Sequence, residues 1–218
     1  RGVVERVTGK SRTPIRYLHA PSAGDTATGY QVLNESQGEF IALLDEGSTP
    51  VPAWLESLLM TQRVYGADVV LGPVRPEFEA APRRYQASFT GFFARSSEAA
   101  TGTSIEPASP LGRRRSGICI PPSFNNALLR RSLCSAHPAL LARTLGPTGP
   151  EPDLLFQQLH REGERFVWCA EAVVTEWIPS ELLSARALLG RQFQRGRSTV
   201  DICVQQAEPT DYRAFALW

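Results

Sequence analysis

The sequence predicts an α/β fold, a mostly parallel sheet flanked by helices, and three observations lead there. Phe40 to Leu44 (F-I-A-L-L) is a short unbroken apolar run closed by turn residues, the pattern of a strand buried on both faces. Asp68 to Val74 (D-V-V-L-G-P-V) is a second such run. Between them Trp54, Leu55, Leu58 and Leu59 recur at helical spacing, with Pro52 where a first-turn proline belongs and Gly66 as the stop. Together with a strand candidate at Ile15–His19 and a helix over 25–36, this gives an alternation of strands and helices. Such alternation argues for a parallel sheet with crossover helices.

The remaining elements follow in order. Phe40 to Leu44 is expected to be the central strand. Phe78, Tyr85, Phe89, Phe92 and Phe93 suggest a segment packed on the core. The polar stretch after it, with Gly102, Pro107, Pro110 and Gly112 and ending in Arg113-Arg114-Arg115, reads as a loop. Residues 127–132 start a helix or a strand. T-G-P-E-P-D leads into an amphipathic helix from Leu154 to Arg161 that Gly163 ends. Arg165–Cys169 and Ala172–Glu176 are short strand candidates. From Pro179 a helix carries Leu182, Arg186, Leu189 and Phe193, with Arg191, Arg195 and Arg197 adding basic character. The expected division is a core over 1–179, a basic C-terminal helix over 180–204 and a tail over 205–218.

Composition excludes several classes of function. With 218 residues, 42% of them hydrophobic, the chain can bury one sizeable core. A net charge of +1 gives no overall field for nucleic acid, and no apolar run reaches the roughly 18 residues of a membrane span. Every basic residue except Lys10 is an arginine, a side chain suited to phosphates and carboxylates. Cys119, Cys134, Cys169 and Cys203 are far apart and read as reduced core thiols in a cytoplasmic setting. The chain begins at Arg1, so the native start is expected to lie upstream.

Ligands of open α/β sheets bind beyond the carboxyl ends of strands, which makes Asp45 and Glu46, just past Leu44, site candidates. The same pair also suits a strand that ends in a polar turn. Dinucleotide and P-loop glycine patterns are absent, and no serine sits in a nucleophile elbow.

Taken together, G-E-F-I-A-L-L-D-E followed by P-A-W-L, then G-A-D-V-V-L-G-P-V, N-N-A-L-L-R-R and F-Q-Q-L-H-R-E-G-E-R-F-V-W-C-A-E-A-V-V-T-E resemble the family 2 glycosyltransferases of GT-A fold. The resemblance covers roughly residues 15–200 and is nearest to nonprocessive enzymes of bacterial polysaccharide synthesis. It implies a GT-A-like sheet that lacks the first nucleotide-binding strands, and an inverting transfer of sugar from a nucleotide-sugar donor to a glycan or lipid-linked acceptor. It further implies cytoplasmic placement with peripheral association at the inner face of the membrane, and no nucleic-acid partner. A divalent cation, Mg²⁺ or Mn²⁺, would bridge the diphosphate, with Asp45 and Glu46 as its acidic motif. A carboxylate base would deprotonate the acceptor hydroxyl, and Glu151 or Asp153 stands at that position. Asn125 and Asn126 would shape the acceptor side, or serve as backbone hydrogen-bonding devices at a turn. Arg191 and Arg195 would steady the diphosphate, or form a solvated helix face.

The chain departs from the family pattern at three places. Gly47 stands where the last metal acid would be, Thr28-Gly29-Tyr30 replaces an Ala-Arg-Asn segment, and Pro150-Glu151-Pro152 replaces Gly-Glu-Asp. These departures predict weak binding of metal and donor. They also keep open a second function, a catalytically inactive GT-A remnant that serves as a binding or structural domain.

Overall fold

The computed structural model describes residues 11, 13–17, 35–107, 118–120, 125–137, 153–193 and 196. In chain order the elements are β1 (Phe40–Leu43), β2 (Ser48–Pro50), α1 (Trp54–Tyr65), β3 (Val69–Leu71), β4 (Val74–Phe78), α2 (Arg84–Ala87), β5 (Ile105–Pro107) and β6 (Ile118–Ile120). They continue with β7 (Ala127–Arg130), α3 (Arg131–Ala136), α4 (Asp153–Arg161), β8 (Phe166–Trp168) and β9 (Val174–Ile178). A last helix, α5, covers residues 185–193.

The main sheet has the order β1-β7-β3-β8. β7 lies antiparallel to both β1 and β3, while β3 and β8 are parallel. Three strands therefore point one way, in line with the predicted α/β class, but β1 and β3 are not neighbours. β7, whose Ala127–Leu129 run is apolar on both faces, separates them. Nothing in the local pattern distinguishes a strand inserted in reverse from one that adds at an edge.

Side chains alternate across this sheet and fill two layers. Val69, Leu71, Ala127, Leu129, Phe166 and Trp168 share one core with Leu155, Phe156 and Leu159 of α4. Val70, Leu128 and Val167 face the other way, onto Leu58 of α1. Burial on both faces explains why these strands read as continuous apolar runs. The Phe156 and Phe166 rings meet edge to face at 5.9 Å, and each fully buried large side chain contributes about 1.5–3 kcal/mol.

β1 is a correction. Among the described residues it is the edge strand of the main sheet, not its centre, and Ala42 is exposed. Asp68–Val74 is a second correction, because it divides at Gly72-Pro73. β3 stays in the main sheet, whereas β4 turns into a three-stranded sheet of order β2-β9-β4, in which β9 is antiparallel to β2 and parallel to β4. Asp68 braces the start of β3, accepting from Arg130 Nε and the Arg165 backbone N–H, both at 3.0 Å.

Other readings meet mixed outcomes. α1 ends as predicted, with Gly66 at φ 60° and its N–H donated to the Gln62 carbonyl. Leu58 is its buried anchor, while Leu55 remains exposed. Residues 127–132 provide both alternatives, strand β7 and then α3. The polar stretch is not wholly a loop: β5 pairs with β6, and Ile105 and Ile120 are buried. Its arginine run lies outside the described residues. Of the aromatic segment, Phe93 is buried with Ile178, Leu183 and Leu188, Phe78 and Phe89 pack against that cluster, and Tyr85 and Phe92 are exposed. After Pro179 the chain forms a 3₁₀ turn, Ser180–Leu183, before α5 begins. Cys134 and Cys169 are buried as predicted, Cys119 is exposed, and Cys203 lies outside the described residues. Residues 15–17 take no strand, and the rest of that candidate and nearly all of the 25–36 helix lie outside the described residues.

Candidate functional site

A cluster of polar and charged side chains forms where the carboxyl end of β1 meets the second sheet. Asp45 follows β1 after Leu44 and remains solvent-accessible, as does Glu46. The Ser48 N–H donates to the Asp45 carbonyl at 3.1 Å, closing a tight turn that leads into β2. Pairing of β2 with β9 sets Ser48 opposite Glu176, so a third carboxylate joins the same cluster.

Asn125 joins these pieces. Its Oδ1 accepts from the Asp45 backbone N–H at 3.3 Å, and its Nδ2 donates to Ser48 Oγ at 2.9 Å and to a Glu176 oxygen at 3.2 Å. Asn126 lies behind it, wholly buried, at φ 59° in the left-handed region that asparagine tolerates. Its Oδ1 accepts from Trp54 Nε1, and its Nδ2 donates to the carbonyls of Pro73 and Ala172, all at 2.7 Å. Its backbone N–H donates to the Leu43 carbonyl at 3.0 Å. Four segments are thereby fixed around one residue, three by its side chain and one by its backbone. Both asparagines are buried, and the bonds they make are those of hydrogen-bonding devices at a turn.

Beneath the pair lies Arg95, only 3% exposed. Its Nε donates to the Gly72 carbonyl at 2.8 Å, and its Nη2 donates to the carbonyls of Asn125 and Asn126 at 2.6 and 2.5 Å. Burial pushes its pKa down to about 9, against the stabilising charges of Asp45 and Glu176, so it stays protonated at neutral pH. The acids respond in turn. Desolvation and the neighbouring Glu46 raise the Asp45 carboxyl above its ordinary value, and Arg95 opposes the rise. Desolvation and Asp45 raise Glu176, and the Asn125 hydrogen bond, Arg191 and Arg95 oppose it.

The predicted residues are partly brought together. Asp45 and Asn125 are joined by a hydrogen bond, with Glu46 next to Asp45 and Asn126 buried behind Asn125, and Arg191 of α5 acts electrostatically on Glu176 while its guanidinium sits 4.5 Å above the Phe93 ring. Asp153 opens α4. Glu151 and Arg195 lie outside the described residues. Sequence reasoning missed Arg95, Glu176, Ser48 and the indole of Trp54. Arg95 gave no signal among so many arginines, whereas Glu176, at the end of an apolar stretch, resembled Asp45 in its setting.

The donor set fits a hard divalent cation in kind, since Asp45 presents accessible carboxylate oxygens. Among the described residues, no group of three or more His, Cys, Asp or Glu side chains could hold a metal ion by itself. An open groove of about 420 Å³ runs beside α1, between Met60, Val64, Tyr65, Thr101 and Glu171, and includes none of the cluster's residues. No helix among the described residues is long and apolar enough to cross a membrane.

Comparison with known proteins adds a relative. No family model matches the chain. Over 207 residues, 95% of the chain, it is 30% identical to the succinoglycan biosynthesis protein ExoM of Rhizobium meliloti (strain 1021), and the two are homologous. The chain spans 62% of that protein's length. Among solved structures, S. aureus TarS 1-349 aligns with a TM-score of 0.49 at 12% identity, covering 99% of this chain and 61% of that one. TarS 1-349 in complex with UDP-GlcNAc gives a TM-score of 0.44 at 12% identity, over 82% and 45% of the two chains.

Proposed function

We propose that this homologue of a succinoglycan biosynthesis protein is the larger part of an inverting glycosyltransferase of polysaccharide biosynthesis, moving a sugar from a nucleotide-sugar donor to a glycan or lipid-linked acceptor. The observation that carries the reading is the hydrogen-bonded cluster of Asp45, Asn125 and Glu176. Asp45 and Glu176 approach from two sheets, Asn125 bridges them, and Arg95 backs them with buried charge. The homology to a protein of succinoglycan biosynthesis supports a polysaccharide product.

Within this reading Asp45, assisted by Glu46, holds a divalent cation together with the donor diphosphate. The cation supplies neutralisation of charge on the leaving diphosphate. Asn125 orients the Asp45 turn and Glu176, and Arg191 adds positive charge beside Glu176. The base that takes the acceptor proton is Glu151 or Asp153, the latter at the start of α4. Leu189 and Phe193, exposed one turn apart on α5, give a surface for peripheral contact with a bilayer that carries a lipid-linked acceptor.

A second reading, a GT-A domain that binds without turnover, is favoured by Gly47, which leaves the acidic motif one carboxylate short. One experiment separates the two. The protein is incubated with Mn²⁺, a panel of nucleotide sugars and lipid-linked or free glycan acceptors, and the anomeric configuration of any product is read by NMR. The transferase reading expects an inverted product and, in Asp45→Ala, a fall of about 100-fold or more in turnover. A retained configuration, or full activity in Asp45→Ala, overturns it; donor binding with no product for any acceptor favours the second reading.

A further inference from the structure

We propose that the open groove of about 420 Å³ beside α1 is a carbohydrate-binding groove, which holds pyranose units of the acceptor glycan remote from the point of transfer. The inference deepens the transferase reading and rests on it only for the choice of a glycan acceptor as the source of those sugars.

The lining offers both kinds of surface that a pyranose requires. Such a ring presents an apolar C–H face and a rim of hydroxyls, so its site combines apolar side chains with a few hydrogen-bonding groups. Met60 and Val64, 52% and 66% exposed, lie one turn apart on α1 and, with Tyr65, supply the apolar part. Glu56, Thr101 and Glu171 supply two carboxylates and a hydroxyl. No lysine or arginine lines the groove among the described residues. Two carboxylates without a cation repel a phosphate or an acidic ligand, whereas they accept hydrogen bonds readily from hydroxyls.

The wall opposite α1 is held in advance. Thr101 Oγ1 accepts from the Ala170 N–H at 2.8 Å and donates to a Glu171 carboxylate oxygen, so backbone and hydroxyl together orient that carboxylate. The Tyr65 hydroxyl donates to the Thr101 carbonyl at 3.3 Å. Gly102, at φ 93°, lies so close to the Tyr65 ring that a Cβ there would stand 2.1 Å from Cζ, and only glycine lets the ring and this turn meet. A wall fixed in this way costs a ligand little further ordering. Placement fits an acceptor as well. Ala53 and Glu171 of the lining are chain neighbours of Trp54 and Ala172, which hydrogen-bond to the two ends of the Asn126 amide. Asn125, next to it, bonds the Asp45 turn. The groove thus adjoins the hub that positions the proposed transfer site.

The test is a binding titration with neither donor nor metal, so it can fail while the transferase reading stands. Oligosaccharides of six glucose units, linked β-1,3, β-1,4 or β-1,6, are added in turn to methyl-labelled protein, and the methyl signals of Met60, Val64 and Thr101 are followed by NMR. The expected result is saturable movement of the three signals together with at least one of these sugars, and an affinity weakened about 10-fold or more in Glu171→Ala and in Val64→Arg. Both side chains lie at the surface, so neither variant removes core packing. Groove signals that stay still with all three sugars overturn the proposal, as does binding that both variants retain in full. Saturation of the groove by an arginine-rich peptide but by no oligosaccharide would make it a protein-docking surface, and overturns the proposal as well.

Discussion

Asn126 unites a backbone requirement and a side-chain requirement in one residue. Its φ of 59° excludes β-branched residues, and the three hydrogen bonds of its amide tie α1, the β3–β4 break and the β8–β9 connection together. Asn126→Gly keeps the backbone conformation and loses the amide, taking one partner each from the Trp54 N–H and the Ala172 and Pro73 carbonyls, of which Pro73 keeps the Val174 N–H. The expected loss is about 3 kcal/mol in a urea unfolding curve. Glu176 gives the opposite kind of prediction. Its folded pKa lies above the unfolded value, so the folded state binds the extra proton and stability declines as pH rises from about 4 through the folded midpoint. Glu176→Gln is therefore expected to be more stable than wild type at pH 7, with the gain vanishing well below pH 4. Stability curves at the two pH values check this, and an equal or negative difference at pH 7 contradicts it. Asp45 was legible in the sequence because an acid just beyond an apolar run has a positional meaning. Arg95 was not, since burial of a charged side chain depends on carbonyls that come from distant segments.

At the scale of elements, the break at Gly72-Pro73 distributes the chain between two sheets. A Cβ at Gly72 would lie 2.4 Å from the Ala172 carbonyl oxygen and 2.7 Å from Asn126 Nδ2, neither of which can yield without disturbing the hub. Gly72→Ala is expected to destabilise by at least about 1–3 kcal/mol, as overpacking does, and to weaken any ligand binding at Asp45 in parallel. Gly66→Ala, where a Cβ meets nothing, carries only the cost of its positive φ and leaves the cluster intact. α4 anchors the other face through Phe156, and Phe156→Ala is expected to cost about 3–5 kcal/mol by calorimetry or urea unfolding. The helices and the buried strands were readable because period and burial coincide in them: Leu155, Phe156 and Leu159 form one stripe, and Phe166 to Trp168 an unbroken run. The insertion of β7 between β1 and β3 was not, because pairing order is decided by contacts between segments more than fifty residues apart.

For the described residues as a whole, the organisation is a four-stranded sheet covered on both faces, the three-stranded sheet of β2, β9 and β4, and the β5-β6 pair, with Asp45, Asn125 and Glu176 where the first two sheets meet. A net charge of +1 gives no broad field, so attraction of an anionic donor has to come from local charge. In the proposed transferase Arg95 and Arg191 would provide it, beside Asp45 and Glu176. The proposed function makes Asp45 the mark of a cation-assisted diphosphate site. Paramagnetic Mn²⁺ tests it most directly, added with UDP, GDP or dTDP to the labelled protein while amide line widths are followed. The expected result is selective broadening of Asp45, Gly47, Ser48 and Glu176, requiring both Mn²⁺ and a nucleoside diphosphate and lost in Asp45→Ala; broadening elsewhere, or broadening that survives Asp45→Ala, would contradict it.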